Sequence, residues 1–243
     1  MRPRLLDLFC GAGGAAMGYH QAGFDVIGVD IVPQPHYPFE FVQADALTIP
    51  LDGFDAIHAS PPCQFASALN RAVGNRTDHA NLIPATRGHL LAAGAPYVVE
   101  NVPGARRFLN GAHVELCGAS FGLEVLRHRV FECSFPVLVP PCQHRPGGAA
   151  DGTYVMFGGR SPRAPGRRIP PRASDREWRD AAGLAWMTVR ESRQAIPPAY
   201  TQHIGEYLAR FIRRSPRARC EGLGPCDSAR ETTSNPRIRQ ETP

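Results

Sequence analysis

Lysine is missing from this sequence: all 27 basic residues are arginine, against 22 acidic residues, which gives a net charge of +5. A GC-rich genome would explain this preference through its codon usage, without any functional cause. Arginine nevertheless suits phosphate and guanine, because its planar fork can bond two acceptors at once. The charge is compatible with a polyanionic partner but does not establish one.

Long apolar runs are also missing. No segment approaches the length needed to cross a bilayer, and residues 1–7 (MRPRLLD) lack the apolar region of a signal peptide. The seven cysteines are odd in number and have no framework spacing, so we expect reduced thiols rather than disulfides. These absences predict a cytoplasmic protein with no membrane partner, and we expect a monomer.

Strands and helices alternate along the first half of the chain, which predicts an α/β fold with a parallel sheet. A strand at 5–9 leads into a glycine loop at 10–14 (CGAGG), a helix at 15–22 and a second strand at 25–30 that ends in an acid. Such an arrangement holds an adenosine-containing cofactor. The loop also fits a nicotinamide fingerprint loosely, and a purely structural turn stays open.

Three chemically distinct groups follow predicted strands. Asp30 ends the second strand, Cys63 follows the fourth (54–59) within a stiff Pro-Pro-Cys-Gln segment, and Glu100 ends the fifth (96–100). Ligands of a parallel sheet lie at the carboxyl ends of its strands, so these groups should converge on one rim. A buried, inert cysteine is the alternative for Cys63. Asp45, after the third strand (39–42), could bond an adenine amine or cap a turn.

The second half of the chain is divided by composition. We predict a catalytic, cofactor-binding core at 1–140, a small arginine-rich insertion at 141–183, a return segment at 184–213 that completes the core, and a disordered tail at 214–243. Residues 113–123 and 130–135 should form a strand pair. Capping boxes at 174–177 and 188–191 should each begin a helix, and apolar spacing from 200 to 212 predicts another.

The cysteines and histidines of the second half of the chain do not lead us to predict a metal site. Cys133, Cys142 and His144 lie near one another in sequence, with His128 upstream, but a closed zinc site normally has four ligands at tighter spacing. Cys220 and Cys226 in the tail are weaker candidates still. We therefore expect no metal.

Taken together, these motifs resemble those of the DNA (cytosine-5)-methyltransferases, in particular the small stand-alone versions of actinobacteria and their phages. The match covers about residues 4–213. It rests on residues 7–14 (DLFCGAGG), Asp30, Asp45, residues 61–64 (PPCQ), residues 100–102 (ENV) and residues 127–129 (RHR).

The resemblance implies a Rossmann-like fold, S-adenosylmethionine as cofactor and double-stranded DNA as partner. Cys63 would add to cytosine C6, Glu100 would hydrogen-bond or protonate N3, and Arg129, with Arg127 nearby, would hold the base's carbonyl oxygen. The implied cofactor-binding residues are Phe9, Gly11, Gly13, Gly14, Asp30, Asp45 and Pro62. The implied substrate-binding residues are Gln64, Asn101, Arg160, Arg163, Arg167 and Arg168, the four arginines belonging to the insertion at the family's target-recognition position.

Two departures from the family pattern weaken particular contacts. Val125 replaces the glutamine usually found ahead of the paired arginines, and Ala195-Ile196 replaces a Gly-Asn pair near the C-terminal end. Three other functions stay open: an RNA cytosine-5 methyltransferase of the same fold, a catalytically inert DNA-binding relative and, more distantly, a nicotinamide dehydrogenase.

Overall fold

A seven-stranded sheet organises the computed structural model, which describes residues 1–63, 80–111, 113–144 and 174–214. The spatial order of its strands is β3-β2-β1-β4-β5-β7-β6. The strands are β1 (Arg4–Leu8), β2 (Asp25–Asp30), β3 (Glu40–Gln43), β4 (Ala56–Ala59), β5 (Tyr97–Asn101), β6 (Val114–Leu116) and β7 (Arg129–Cys133). The helices are α1 (Gly14–Gln21), α2 (Ile83–Ala93), α3 (Asp175–Ala181), α4 (Val189–Ser192) and α5 (Pro198–Arg214).

The first five strands are parallel, and β7 runs antiparallel between β5 and β6. Parallel neighbours need crossover connections, and α1 and α2 supply them between β1 and β2 and between β4 and β5. This architecture confirms the predicted α/β, Rossmann-like class.

The two faces of the sheet bury separate apolar clusters, because successive side chains of a strand point to opposite faces. Leu5 belongs to the cluster beneath α1 and α5, and Leu6 belongs to the cluster beneath α2. Helices α1 and α5 pack closely: the Thr201 hydroxyl donates to the Ala15 carbonyl at 2.9 Å. The predicted apolar face of α5 is buried at Tyr200, Ile204 and Leu208.

The predicted strand pair at 113–123 and 130–135 is confirmed only in part. β6 ends at Leu116, and a 3₁₀ turn (Gly118–Phe121) follows it. Gly118 lies against the Val125 backbone and Gly122 has a φ of +69°, so the chain folds back instead of extending. Arg127 consequently lies before β7, and Arg129 is the first residue of that strand.

The two capping boxes are confirmed. Ser174 begins α3 with Glu177 at the third helical position, and Thr188 begins α4 with Glu191 in the same place. Within the described ranges, no helix combines the length and apolar character needed to span a bilayer.

Candidate active site

The site lies where the strand order reverses direction, because β1 has β2 on one side and β4 on the other. Ligands of open α/β sheets bind in the crevice at the carboxyl ends of the strands at such a point. Asp30 ends β2, Glu100 lies near the end of β5, and Cys63 follows β4 by four residues. The predicted rim is therefore present in the strand topology.

The glycine loop is fastened to the end of β2 by Asp30. One carboxylate oxygen of Asp30 accepts the Gly11 N–H at 3.0 Å, and the other accepts the Val32 N–H at 3.0 Å. Phe9 has a φ of +56°, which is uncommon for a residue with a side chain and marks a strained turn out of β1. Open space surrounds the position that a Gly11 side chain would take, so the loop leaves room there for a ligand.

Gly13 and Gly14 have packing roles. A Cβ on Gly13 would lie 2.8 Å from the Pro38 ring, and one on Gly14 would lie 2.5 Å from the Ile196 carbonyl oxygen. The Ala195-Ile196 pair thus packs directly against the start of α1. The predicted contacts of Gly13 and Gly14 with a cofactor stay predictions.

Asp45 is exposed, and one of its carboxylate oxygens accepts the Leu47 N–H at 2.9 Å. This bond caps the turn after β3, which is one of the two roles considered from the sequence. The second carboxylate oxygen could still accept a hydrogen bond from an adenine amine, which is the other role.

Asn101 ties the cysteine segment to the end of β5. Its Nδ2 donates to the Pro61 carbonyl at 2.9 Å, its Oδ1 accepts the Val102 N–H at 3.0 Å, and only 1% of the residue is exposed. The side chain therefore fixes the backbone two residues before Cys63. Its predicted contact with substrate stays a prediction.

Glu100 and Arg129 form a largely buried ion pair. Arg129 Nε lies 2.9 Å from Glu100 Oε1, and their side chains are 13% and 10% exposed. The register of β5 with β7 explains the pairing: Glu100 is opposite Phe131, so Arg129 is its diagonal neighbour on the same face. Burial raises the pKa of Glu100, against the opposing charges of Arg129 and Arg127 and a hydrogen bond from Ser60.

Cys63 lies within the electrostatic reach of the same three groups. Burial raises the pKa of the Cys63 thiol, the negative charge of Glu100 raises it further, and the positive charges of Arg129 and Arg127 lower it. Protonating Glu100 would remove the repulsion and leave both arginines to stabilise a thiolate. Cys63 and Glu100 are thus linked: a proton on the acid favours the anion on the sulfur.

Arg127 reaches this group from outside the sheet. Its guanidinium donates to the Arg193 carbonyl at 2.8 Å and lies 5.5 Å from the centre of the Trp178 ring. Burial and the neighbouring Arg129 lower the pKa of Arg127 to about 9. The Tyr200 hydroxyl donates to the Arg127 carbonyl, so α5 also holds this segment.

A buried chain of hydrogen bonds lies behind Glu100 and was not predicted from the sequence. His58 contacts the Tyr19 hydroxyl through Nδ1 at 3.0 Å and the Ser60 hydroxyl through Nε2 at 2.9 Å, and Ser60 bonds Glu100. Burial lowers the pKa of His58 to about 3, so the ring is neutral. The available signal was a histidine inside an otherwise apolar strand.

Several predicted residues fall outside the described ranges. They are Gln64, Arg160, Arg163, Arg167 and Arg168. Of the remaining cofactor candidates, Phe9 is half-buried against the α2-side cluster and Pro62 is exposed beside Cys63.

The cysteine and histidine set differs from the one considered in the sequence. Cys133 ends β7 and packs against the cluster beneath α1 and α5, away from the other candidates. Cys117 takes its place and lies with His128, Cys142 and His144. Continuing the antiparallel register of β6 and β7 by one residue past the pair of Leu116 and Arg129 brings Cys117 to His128. Cys117 was not among the residues considered from the sequence, and the expectation that no metal is bound stays a prediction.

Two solved structures share this fold over 87% of the present chain. One, from E. coli, is described as a candidate DNA modification methyltransferase encoded within a prophage; it is 14% identical, is covered over 100% of its own length and has a TM-score of 0.58. The other is the Entamoeba histolytica methyltransferase EhMeth, which is 12% identical, is covered over 99% of its length and has a TM-score of 0.57. The chain has a Rossmann-like methyltransferase fold.

Similarity at this level of identity describes the methyltransferase fold and not the reaction. No protein-family model matches the sequence, and no curated protein matches it. The chemistry must therefore be argued from the site itself.

Proposed function

We propose that this chain transfers a methyl group from S-adenosylmethionine to C5 of a cytosine in double-stranded DNA. The observation that carries the proposal is the placement of Cys63 and Glu100 after adjacent strands, with Glu100 held in an ion pair by Arg129. The reaction needs a nucleophile to add to C6 and an acid to protonate N3, and Cys63 and Glu100 are such a pair.

The residues of the crevice fit the proposed cofactor. Gly11 is open to a ligand, and Asp30, although it accepts two backbone bonds, keeps lone pairs for ribose hydroxyls. Phe9, Gly11, Asp30, Asp45 and Pro62 are the residues that would hold it. When bound, the cofactor supplies an electrophilic methyl group on a sulfonium.

Cytosine C5 is too weak a nucleophile to react unaided, and the chain's own groups change that. The Cys63 thiolate forms a bond to C6, and the displaced π electrons make C5 electron-rich, which is covalent catalysis. Glu100 donates a proton to N3 as negative charge develops there. After C5 is methylated, water takes the C5 proton and the Cys63 sulfur leaves C6 as a thiolate. N3 returns its proton to Glu100, which restores the aromatic ring and the acid.

The arginines position these groups. Arg129 holds Glu100 through its Nε, and its remaining N–H groups can bond the base's carbonyl oxygen. Arg127 adds a second positive charge that favours the Cys63 thiolate. Because the carbon lies inside the DNA stack, the base must be extruded at a cost of a few kcal/mol. The arginines of 141–183 are the proposed source of the compensating phosphate and guanine contacts.

Methyl transfer from radiolabelled cofactor tests the proposal directly. The wild-type chain should label duplex DNA, and duplex DNA containing 5-fluorocytosine should form a covalent complex with it. Cys63→Ser should lower the rate of transfer by about 10³-fold or more, because the hydroxyl is a far weaker nucleophile, while cofactor binding persists. Cys133→Ala, which alters a cysteine outside the site, is the matched control and should label DNA normally.

Three results would contradict the proposal. Labelling at the normal rate by Cys63→Ser would exclude the covalent route. Transfer to tRNA but not to duplex DNA would assign the chain to RNA. Cofactor and DNA binding with no transfer to either would make it an inert relative.

A further inference from the structure

Four potential metal ligands from three separate segments meet beside β6 and β7. They are Cys117 Sγ, His128 Nε2, Cys142 Sγ and His144 Nδ1, and these atoms all lie within 4.8 Å of one another. We call this group the Cys/His cluster. It contains none of the four residues to which the proposed reaction assigns chemistry.

The fold itself brings these segments together. β6 pairs with β7 so that Leu116 is opposite Arg129, and continuing this antiparallel register by one residue places Cys117 opposite His128. The Ser120 hydroxyl donates to the Pro141 carbonyl at 2.9 Å, which holds the residue before Cys142 against the 3₁₀ turn after Cys117. The cluster is thus supported by contacts that do not involve its own sulfur or imidazole atoms.

The separations within the Cys/His cluster suit a tetrahedral zinc ion. Zinc–sulfur and zinc–nitrogen bonds of about 2.3 and 2.05 Å place neighbouring sulfur and nitrogen ligands about 3.6 Å apart. Cys117 Sγ lies 3.8 Å from His144 Nδ1, and Cys142 Sγ lies 3.5 Å from His128 Nε2. Cys142 Sγ and His144 Nδ1 are 2.7 Å apart and would have to separate by about 0.9 Å.

We propose that the Cys/His cluster binds one structural Zn²⁺ ion. Two thiolates and two neutral imidazoles form a ligand set typical of zinc, and the two thiolates balance its charge. Binding would release the two thiol protons to solvent. Four protein ligands leave no open coordination position, so the ion would hold structure rather than activate water.

The position of His128 gives this site a consequence for the reaction, and this step rests on the proposed function. His128 lies between Arg127 and Arg129, and its carbonyl accepts a bond from Arg129 Nη1 at 2.9 Å. A metal on the His128 ring would fix the backbone that carries both arginines. It would also anchor Cys142 and His144, which lie at the start of the predicted insertion (141–183).

Metal analysis of the full-length purified chain tests the site without reference to activity. Elemental analysis by mass spectrometry should find one zinc per chain. Replacement by Co²⁺ should give the visible absorption of a tetrahedral site with thiolate ligands. Cys142→Ala and His144→Ala should each reduce bound zinc to a small fraction, whereas Cys133→Ala should keep it. Because Cys142 is exposed, its variant should fold, and circular dichroism checks this.

The outcomes separate this inference from the proposed function. Wild-type protein without zinc and without a tetrahedral Co²⁺ spectrum would overturn the site, as would retention of zinc by a folded Cys142→Ala. Loss of zinc only when Cys220 and Cys226 are both replaced would place the metal in the tail and overturn it as well. Zinc in a chain that transfers no methyl group would leave the site standing and refute the function alone.

Discussion

The strand-tip site (Cys63, Glu100, Arg127 and Arg129) and the Cys/His cluster share one short segment but use different side chains of it. Arg127 and Arg129 act on Glu100, whereas His128 between them contacts Cys142. Arg127 precedes β7 and Arg129 begins it, and both guanidinium groups act on Glu100 while the His128 ring is directed to Cys142. Three consecutive residues thus serve two sites. The chemistry and the structure that supports it should therefore be separable by single substitutions.

Glu100→Gln is expected to give the largest difference between its effect on methyl transfer and its effect on zinc binding. The amide keeps the shape of the side chain but cannot protonate N3, so kcat for methyl transfer should fall by about 10²- to 10⁴-fold. Zinc content should stay at the wild-type level, because Glu100 contacts no member of the Cys/His cluster. Single-turnover methyl transfer and elemental analysis on the same preparation measure both quantities.

The exposed Glu124 provides the control for this substitution. Glu124→Gln changes the charge equally near the same segment and should leave kcat close to wild type. If Glu100→Gln transferred methyl groups as fast as Glu124→Gln, the role of Glu100 as the acid would be refuted.

The two sites also differ in how far the sequence could predict them. Asp30, Cys63 and Glu100 each follow a strand, and parallel strands place their carboxyl ends on one edge, so local patterns were sufficient to place them there. Cys117 was missed because its approach to His128 depends on the register of β6 with β7, which no local pattern specifies. His58 was missed for a different reason: a histidine in an apolar strand looks like a core residue until its partners are known.

The same distinction between local patterns and distant contacts explains which parts of the fold were predictable. The capping boxes of α3 and α4 were predictable because their residues lie three apart in sequence. The early end of β6 was not, because it depends on the close approach of Gly118 to Val125 across a turn.

An intermediate effect is expected from Ser60→Ala, which breaks the chain between His58 and Glu100. The Ser60 hydrogen bond lowers the pKa of Glu100, so its loss should raise that pKa further. Because the protonated acid is the active form, the alkaline limb of the kcat profile should move to higher pH, with a fall in kcat of about tenfold from poorer positioning. Zinc content should not change.

Ser134→Ala is the matched control, since the Ser134 hydroxyl bonds only the Tyr97 N–H in the described contacts, at 2.8 Å. In the pH profile of kcat, the alkaline limb of Ser134→Ala should lie at the same pH as that of the wild type. A Ser60→Ala profile that shifts no more than this control would show that Ser60 supports structure without tuning the acid.

The smallest effect should come from replacing Asp7, which belongs to neither site. We expect this change to alter only the pH dependence of the free energy of unfolding. Asp7 is fully buried on β1, and within the described residues its carboxyl oxygens have no partner at good hydrogen-bond geometry, the Ala16 N–H being a weak one. Burial, and then the charge of Asp30, raise the pKa of Asp7 well above its usual range, against the Ala16 N–H, which lowers it, and with a smaller upward contribution from Glu100. The folded chain therefore keeps a proton that the unfolded chain releases above about pH 4. Stability should fall as pH rises from there toward the folded pKa.

Asp7→Asn cannot titrate, so it should remove this slope. The free energy of unfolding of Asp7→Asn relative to wild type should increase from about pH 5 to about pH 8, measured by urea denaturation at each pH. The absolute difference at one pH is less informative, because the amide adds buried donors of its own. Asp52→Asn, at an exposed position, should show no such trend. A constant difference for Asp7→Asn across this range would mean that Asp7 is ionised in the folded protein and would refute its raised pKa.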